Sequence, residues 1–318
     1  MSYRNIGRKE DIMKRILVVS SANMDMVMNV DFVPVGGQTV IDKGSYTYVP
    51  GGKGANSAVA FSRLGAKCVF LTKLGRDANG DALLSLYEKE GMDVSYIKRD
   101  STVASGLAAI LVEKTGQNRI IVFPGANSKI ELDTVSEAVS SKPDALYMQF
   151  EINYDAILHA AKEASRAGIP IFIDAGPANK DFPLEELPKV TVFSPNESET
   201  EAFTGIAPIN EESCRLASLK LLERVKAEYI VLKLGGRGAY IFDGEKGTLK
   251  APYDMPVVDT TAAGDAFTAA LTLEYLRCGD ILSACDFANA AGSITVSRHG
   301  ASSSIPCADE VKNFLASK

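Results

Sequence analysis

In the second half of the chain, short apolar runs alternate with helix-length segments, and this rhythm limits the possible folds more than any other feature. ALYMQF (145–150), IPIFID (169–174), TVFSPN (191–196) and YIVLKLG (229–235) read as strands. Helical patterns lie between them at residues 154–167, 197–204 and 211–226. Strands alternating with helices of this length indicate a mostly parallel sheet covered on both faces.

The first half keeps the rhythm with one interruption. RILVVS (15–20) is a buried strand, residues 43–49 alternate like a half-exposed one, and 55–64, 68–72 and 80–90 read as helix, strand and helix. At 105–123 the rhythm breaks, because SGLAAILVE and NRIIVF flank the turn-like KTGQ as a hairpin would. Residues 238–252 read as a second hairpin, 256–258 as a short strand, and 264–277 and 281–293 as long apolar helices. The expected architecture is one open α/β domain from residues 13–22, 51–101 and 125–318. A small β appendage would come from 23–50 and 102–124, unless both segments are edge strands of one mixed sheet. Periodicity does not separate these two arrangements. The first 12 residues read as an irregular extension.

Composition narrows the function. Lys and Arg total 34 against 40 Asp and Glu, so no broad positive field invites nucleic acid. The five cysteines form no CxxC pair and read as reduced, and the charged first residues lack a signal-peptide core, so the cytoplasm is the expected compartment. No run approaches the roughly 20 apolar residues of a membrane span. His159 and His299 are the only histidines, which excludes a histidine-rich metal site and gives poor support to a Ser-His-Asp triad.

GGKGAN (51–56) is neither a Walker A loop nor a dinucleotide fingerprint. Lys53 is followed by Gly rather than Ser or Thr, and Gly52 and Gly54 are followed by Ser57 where a third glycine belongs. The motif fits a loop that approaches a polyhydroxylated ligand closely, and it equally fits a tight turn with Asn56 as N-cap. In SANMDM (21–26), Asn23 and Asp25 stand at i and i+2 after the first strand. On extended backbone they share a face at the carboxyl edge of the sheet, where open α/β proteins place ligands; a surface turn is the plainer account.

DTTAAGDAF (259–267) leads into a long apolar helix with almost no side-chain bulk at its start. Unsatisfied N–H groups of the first turn could face an anion there. Asp265, inside that turn, would repel a phosphate but could take a proton from an attacking hydroxyl. Alternatively, Asp265 merely complements the helix dipole and the small residues permit close packing. Asn196 and Glu199 in NESE share a helical face, as metal or phosphate contacts or as ordinary caps. Gly235, Gly236 and Gly238 form another close-approach loop, plausible beside a nucleotide.

Together these stretches resemble the ribokinase-like family of carbohydrate kinases, also called the phosphofructokinase B-type family. GGKGANSAVAFSRLGAKCVFLTKLG and DTTAAGDAFTAALT resemble its two signatures, correctly ordered and far apart, and the likeness runs from about residue 15 to 305. The resemblance implies an open sheet with a small β lid and transfer of phosphate from ATP to a small sugar, above all the 5-hydroxyl of D-ribose. It makes Asp265 the catalytic base and Ala262, Ala263 and Gly264 the anion hole. It assigns the sugar to Asn23, Asp25, Gly52, Lys53, Asn56 and Glu151, and the nucleotide to Asn196, Lys233, Gly235, Gly236, Gly238 and Asn289. Asn289 stands where close members carry His near adenine, which puts that contact in doubt. It implies Mg²⁺ held through water by Glu199, and K⁺ held by Asp259, Thr261 and the 296–304 loop with Val296, His299 and Ala301. It also implies a homodimer through the lids.

Rival readings remain on the same residues. A nucleoside kinase would replace some polar contacts with groups that hold a base, and a phosphosugar kinase would want more Lys or Arg than Lys53 alone. A non-catalytic sugar-binding protein would lack Asp265 or the Ala-Ala-Gly loop, and both are present. A dehydrogenase lacks its fingerprint here.

Overall fold

A computed structural model describes residues 13–318, so the proposed N-terminal extension lies outside the described residues. The chain runs β1 (Arg15–Val19), β2 (Asn23–Val30), β3 (Tyr46–Gly51), α1 (Lys53–Arg63), β4 (Lys67–Leu71), β5 (Lys73–Gly75) and α2 (Ala78–Lys89). It continues through β6 (Lys98–Asp100), β7 (Gly106–Glu113), β8 (Asn118–Phe123), α3 (Leu132–Ser140), β9 (Ala145–Met148), α4 (Tyr154–Arg166) and β10 (Ile171–Asp174). Next come β11 (Val190–Ser194), α5 (Glu197–Thr204), α6 (Glu211–Leu222), β12 (Ala227–Lys233), β13 (Ala239–Phe242) and β14 (Gly247–Lys250). Helices α7 (Ala263–Cys278), α8 (Ile281–Val296) and α9 (Ala308–Ala316) complete it.

The main sheet has the order β14-β13-β12-β11-β10-β9-β1-β4, parallel from β4 to β12 and closed by the antiparallel β12-β13-β14 meander. Its central strands are apolar on both faces because both faces are covered. In β1, Ile16 and Val18 pack with α1, α7 and α8, while Leu17 and Val19 pack with α3 and α4, all fully buried. Each such side chain contributes about 1.5–3 kcal/mol of transfer free energy. Helices α7 and α8 contribute Ala266, Ala269, Ala270, Ala284, Ala288 and Ala291 to this core, all fully buried, and Gly292 of α8 lies against Ala263 and Phe267 of α7. The small side chains allow the two helices to lie close together.

The interruption in the rhythm forms a separate sheet, β3-β2-β7-β8, so these segments are not edges of the main one. β2 pairs antiparallel with β3 and parallel with β7, and β7 forms the expected hairpin with β8. Asp25, Val27, Val49, Ala108, Ile110, Ile120 and Val122 turn towards a cleft between this sheet and the main body.

Residues 256–258 are not a strand. Pro256 withholds a backbone donor, and the segment is tied to the end of α8 rather than to a strand, Val258 N and Asp259 N both donating to the Val296 carbonyl at 2.8 and 3.1 Å. Helices α3 and α9 and the small β5-β6 pair were not legible in the pattern.

Candidate active site

The parallel strands all end on one side, and β1 is the point where the connections diverge, to β4 on one flank and β9 on the other. A cleft of about 1540 Å³ opens there, as expected at such a switch point. Every residue that the resemblance assigns to a ligand or to catalysis lines it, from Asn23 and Asp25 on the small sheet to His299 and Ala301 beyond α8.

The glycines of GGKGAN serve packing first. A Cβ on Gly51 would fall 2.1 Å from Asp25 Oδ2, and one on Gly54 would fall 2.4 Å from Ser20 Cβ. Gly52, at φ +89°, is the N-cap of α1, a conformation that favours glycine. Asn56 is therefore no cap. It is buried, and its Nδ2 donates to Asp265 Oδ2 at 2.9 Å across a sequence separation of 209 residues.

Asp265 is 5% exposed in the first turn of α7, and its other oxygen accepts from Gln149 Nε2 at 3.3 Å. Burial pushes its pKa up to about 6, against the pull of Lys53, with Asp174 pushing further upward. A carboxylate with that affinity is ionised at neutral pH yet still basic enough to accept a proton. The backbone before it turns sharply: Ala262 has φ 61°, a left-handed conformation unusual for a residue with a side chain. This turn leaves the Gly264 and Asp265 N–H groups without intrahelical acceptors, while Ala263 N donates to the Thr260 carbonyl at 3.3 Å. A Cβ on Gly264 would meet nothing nearer than Lys233 Nζ at 3.8 Å. The protein does not fill that space, and the amide dipoles favour an anion in it.

On the small-sheet side, Glu151 Oε2 accepts from Ser21 Oγ at 2.5 Å and from Lys53 N at 3.2 Å. Asp25 Oδ1 and Asn56 Oδ1 are buried acceptors without a donor. Burial first, then the charges of Glu151 and Asp265, push the Asp25 pKa up to about 7. Lys53 stands among these acids. Burial disfavours its ammonium, but Asp265, Asp174, Glu199 and Glu151 outweigh that and hold its pKa above the usual lysine value.

On the opposite side, Asn196 and Glu199 form a reciprocal capping box on α5. The Asn196 side chain accepts from Glu199 N at 2.8 Å and Glu199 Oε2 accepts from Asn196 N at 2.7 Å. The capping account is thus observed, and Glu199 Oε1 remains, leaning so close over Gly176 that a Cβ there would lie 2.3 Å away. One remaining carboxylate oxygen suits Mg²⁺, which keeps most of its waters and takes few protein ligands. Among the described residues no cluster of three or more His, Cys, Asp or Glu could cage a metal ion. Lys233 Nζ pairs with Asp174 Oδ1 at 2.5 Å. Gly235, Gly236 and Gly238 follow it in a short turn, and Asn289 Nδ2 donates to the Ala251 carbonyl at 3.1 Å, fixing the irregular segment above α8.

Asp259 joins the two segments expected to hold a monovalent cation. Oδ1 accepts from Thr261 N and Oγ1, and Oδ2 from Gly300 N at 3.0 Å. His299 and Ala301 share this wall of the cleft. The Val296 and Ala301 carbonyls both fit the role poorly, because each already accepts two hydrogen bonds, Val296 from the Val258 and Asp259 N–H groups and Ala301 from Ser304 N and Oγ.

Sequence reasoning missed Asp174, Gln149 and Asn127. Each is a single polar residue that ends or follows an apolar strand or turn, so the signal was one of position only. All are at most 2% exposed.

The family described as pfkB family carbohydrate kinase matches residues 13–308. The ribokinase of Haemophilus influenzae is 33% identical over 304 residues, covering 95% of this chain and 98% of its own. The bifunctional ribokinase/ribose-5-phosphate isomerase A of Fructilactobacillus sanfranciscensis is 34% identical over 307 residues; the match spans 95% of this chain but 56% of that protein's length. The deoxyribokinase of Salmonella typhi is 27% identical over 303 residues, 95% of this chain and 98% of its own. Among solved structures, Arabidopsis thaliana ribokinase complexed with ribose and ATP is 29% identical with a TM-score of 0.86, over 96% of this chain and 99% of that one. The chain therefore belongs to the pfkB family of carbohydrate kinases and is an ATP-dependent phosphotransferase whose acceptor is a sugar or a nucleoside.

Proposed function

We propose that the protein phosphorylates D-ribose at its 5-hydroxyl, giving ribose 5-phosphate and ADP. The observation that carries this reading is the pair of orphaned acceptors, Asp25 Oδ1 and Asn56 Oδ1, buried on the wall beside Asp265. A buried acceptor without a donor is costly, and a polyhydroxyl ligand supplies donors at both. Asp265 takes the proton of the hydroxyl as its oxygen attacks the γ-phosphorus, and the bond to the bridging oxygen breaks to release ADP. The N–H groups at Ala262–Gly264 and the ammonium groups of Lys53 and Lys233 face the charge that develops. Bound Mg²⁺ would neutralise phosphate charge, with Glu199 holding it through water.

The test is a panel of D-ribose, 2-deoxy-D-ribose, D-fructose, adenosine and uridine with ATP, read as ADP release. D-Ribose should give the highest kcat/KM. Each hydroxyl whose hydrogen bonds are lost costs about 1–3 kcal/mol, so a nucleoside of equal efficiency would overturn the assignment.

The small sheet serves in this reading as a lid over the sugar, built from 23–50 and 102–124, and its outer face as the contact between two copies. On that face Tyr46, Tyr48, Ile121 and Phe123 are each more than half exposed, an apolar surface consistent with that role. The reading also places K⁺ against the His299 carbonyl near Asp259. Exchanging choline for K⁺ at constant ionic strength should raise kcat several-fold, and a flat response would remove the site.

A further inference from the structure

Asn127 follows the β8 strand where the chain leaves the small sheet, and no reading so far gives it a task. It is 1% exposed, and its amide is held by the main chain of Ala22. Oδ1 accepts from Ala22 N at 2.9 Å, and Nδ2 donates to Ala22 O at 3.1 Å. A backbone N–H can only donate and a carbonyl can only accept, so these two bonds fix which end of the Asn127 amide is which. Its Nδ2 also contacts the Asn23 side chain at 2.8 Å. The Asn23 atom there must accept, so it is Oδ1. The Asn23 Nδ2, on the other branch of the amide, is left for whatever occupies the cleft.

Gly106, the first residue of β7, keeps this contact in place. A Cβ there would lie 2.1 Å from Asn23 Oδ1 and 2.3 Å from Asn127 Nδ2. The amide pair thus closes over a position that admits no side chain.

We infer that Asn127 is a positioning residue that fixes the polarity of Asn23, making it a hydrogen-bond donor to the acceptor sugar. The inference rests on the proposed reading that a sugar binds beside Asn23. The resulting wall is asymmetric: Asn23 offers a donor, while Asp25 and Asn56 offer acceptors. A ligand matches it by presenting an oxygen lone pair at Asn23 and hydroxyl protons at the other two.

The experiment uses the full chain and begins with the acceptor panel, so a parent that phosphorylates no sugar defeats the functional reading before the inference is touched. With the best sugar, Asn127→Asp keeps the acceptor for Ala22 N but loses both donations. KM for the sugar should rise about tenfold to 100-fold, the scale of one buried hydrogen bond made wrongly, with KM for ATP within about twofold. On an Asn23→Ala background the same substitution should change the sugar KM by less than about twofold. An equal rise on both backgrounds would mean that Asn127 acts through the fold, and no rise on the parent would also overturn the inference. Asn23→Asp covers the case in which Asn127→Asp does not fold, because its carboxylate still accepts from Asn127 but has nothing to donate. It should bind sugar as poorly as Asn23→Ala, whereas binding at the parental level would show that Asn23 is not a donor.

Discussion

Replacing Asp265 with Asn is expected to lower kcat by about 10²–10⁴-fold, the usual contribution of a general base, while sugar and ATP-analogue affinities stay near the parental values. Asn retains the size of the side chain and an oxygen for the Asn56 amide, but it cannot take a proton. It also removes a negative charge beside the phosphate site, so the nucleotide should bind at least as well. Turnover and calorimetric dissociation constants measured together separate the outcomes. A kcat within about threefold of the parent would exclude the base role, and a joint collapse of turnover and both affinities would show that Asp265 only maintains the α7 entry. The same group sets a pH dependence. Protonation removes the base, so kcat should fall as pH drops through about 6. Asp25, at about 7, should place the fall of kcat/KM slightly higher, because the free cleft must also keep that carboxylate ionised.

Lys53→Met should produce the second large effect, on stability and on the pH profile at once. The ammonium is surrounded by Asp265, Asp174, Glu199 and Glu151. Methionine keeps the stem but leaves the acids facing one another, and removing one partner from a buried charge group costs about 3–5 kcal/mol. Without Lys53 the folded-state pKa of Asp265 rises further above its unfolded value. Stability is then lost at pH above the unfolded pKa, and the loss is complete only above the folded one. Denaturant unfolding should therefore show a wide gap from the parent at pH 8 and a narrower gap at pH 5, where the variant takes up protons. The acid limb of kcat/KM should move upward with it. A gap independent of pH, with an unmoved limb, would mean that Lys53 acts through packing alone.

How much of this could be read from the sequence depended on the range of the interaction. The βα rhythm was legible because each strand and helix carries its own periodicity, and β1 was plain because four apolar residues in a row, Ile16–Val19, belong to a sheet covered on both faces. Residues 256–258 misled because Val-Val has the composition of a strand, while the proline before it withholds a backbone donor. At the site, the two signatures located the glycine turn and the α7 entry. They could not show that Asn56 would turn from capping its own helix to bond Asp265, a contact made 209 residues away. Asn127 and Gln149 were invisible for the same reason: their partners Asn23 and Asp265 lie 104 and 116 residues off. The Asn196–Glu199 pair was visible under both of its readings, because a capping box and a metal-facing carboxylate need the same spacing.

The separation of the two sheets has a consequence for the economy of ATP. Asn23 and Asp25 extend from the small sheet, whereas Asp265 and the α7 amides belong to the main body. In the proposed reading the acceptor is gripped from both sides, by Asn23 and Asp25 on the small sheet and by Asn56 on the main body that also carries the base, so a sugar bridges the two units while a water molecule cannot. Water entering the cleft alone finds the base but nothing that holds it in line with the phosphorus, and positioning supplies much of the rate in phosphoryl transfer. In that reading the two-part construction itself discriminates against hydrolysis.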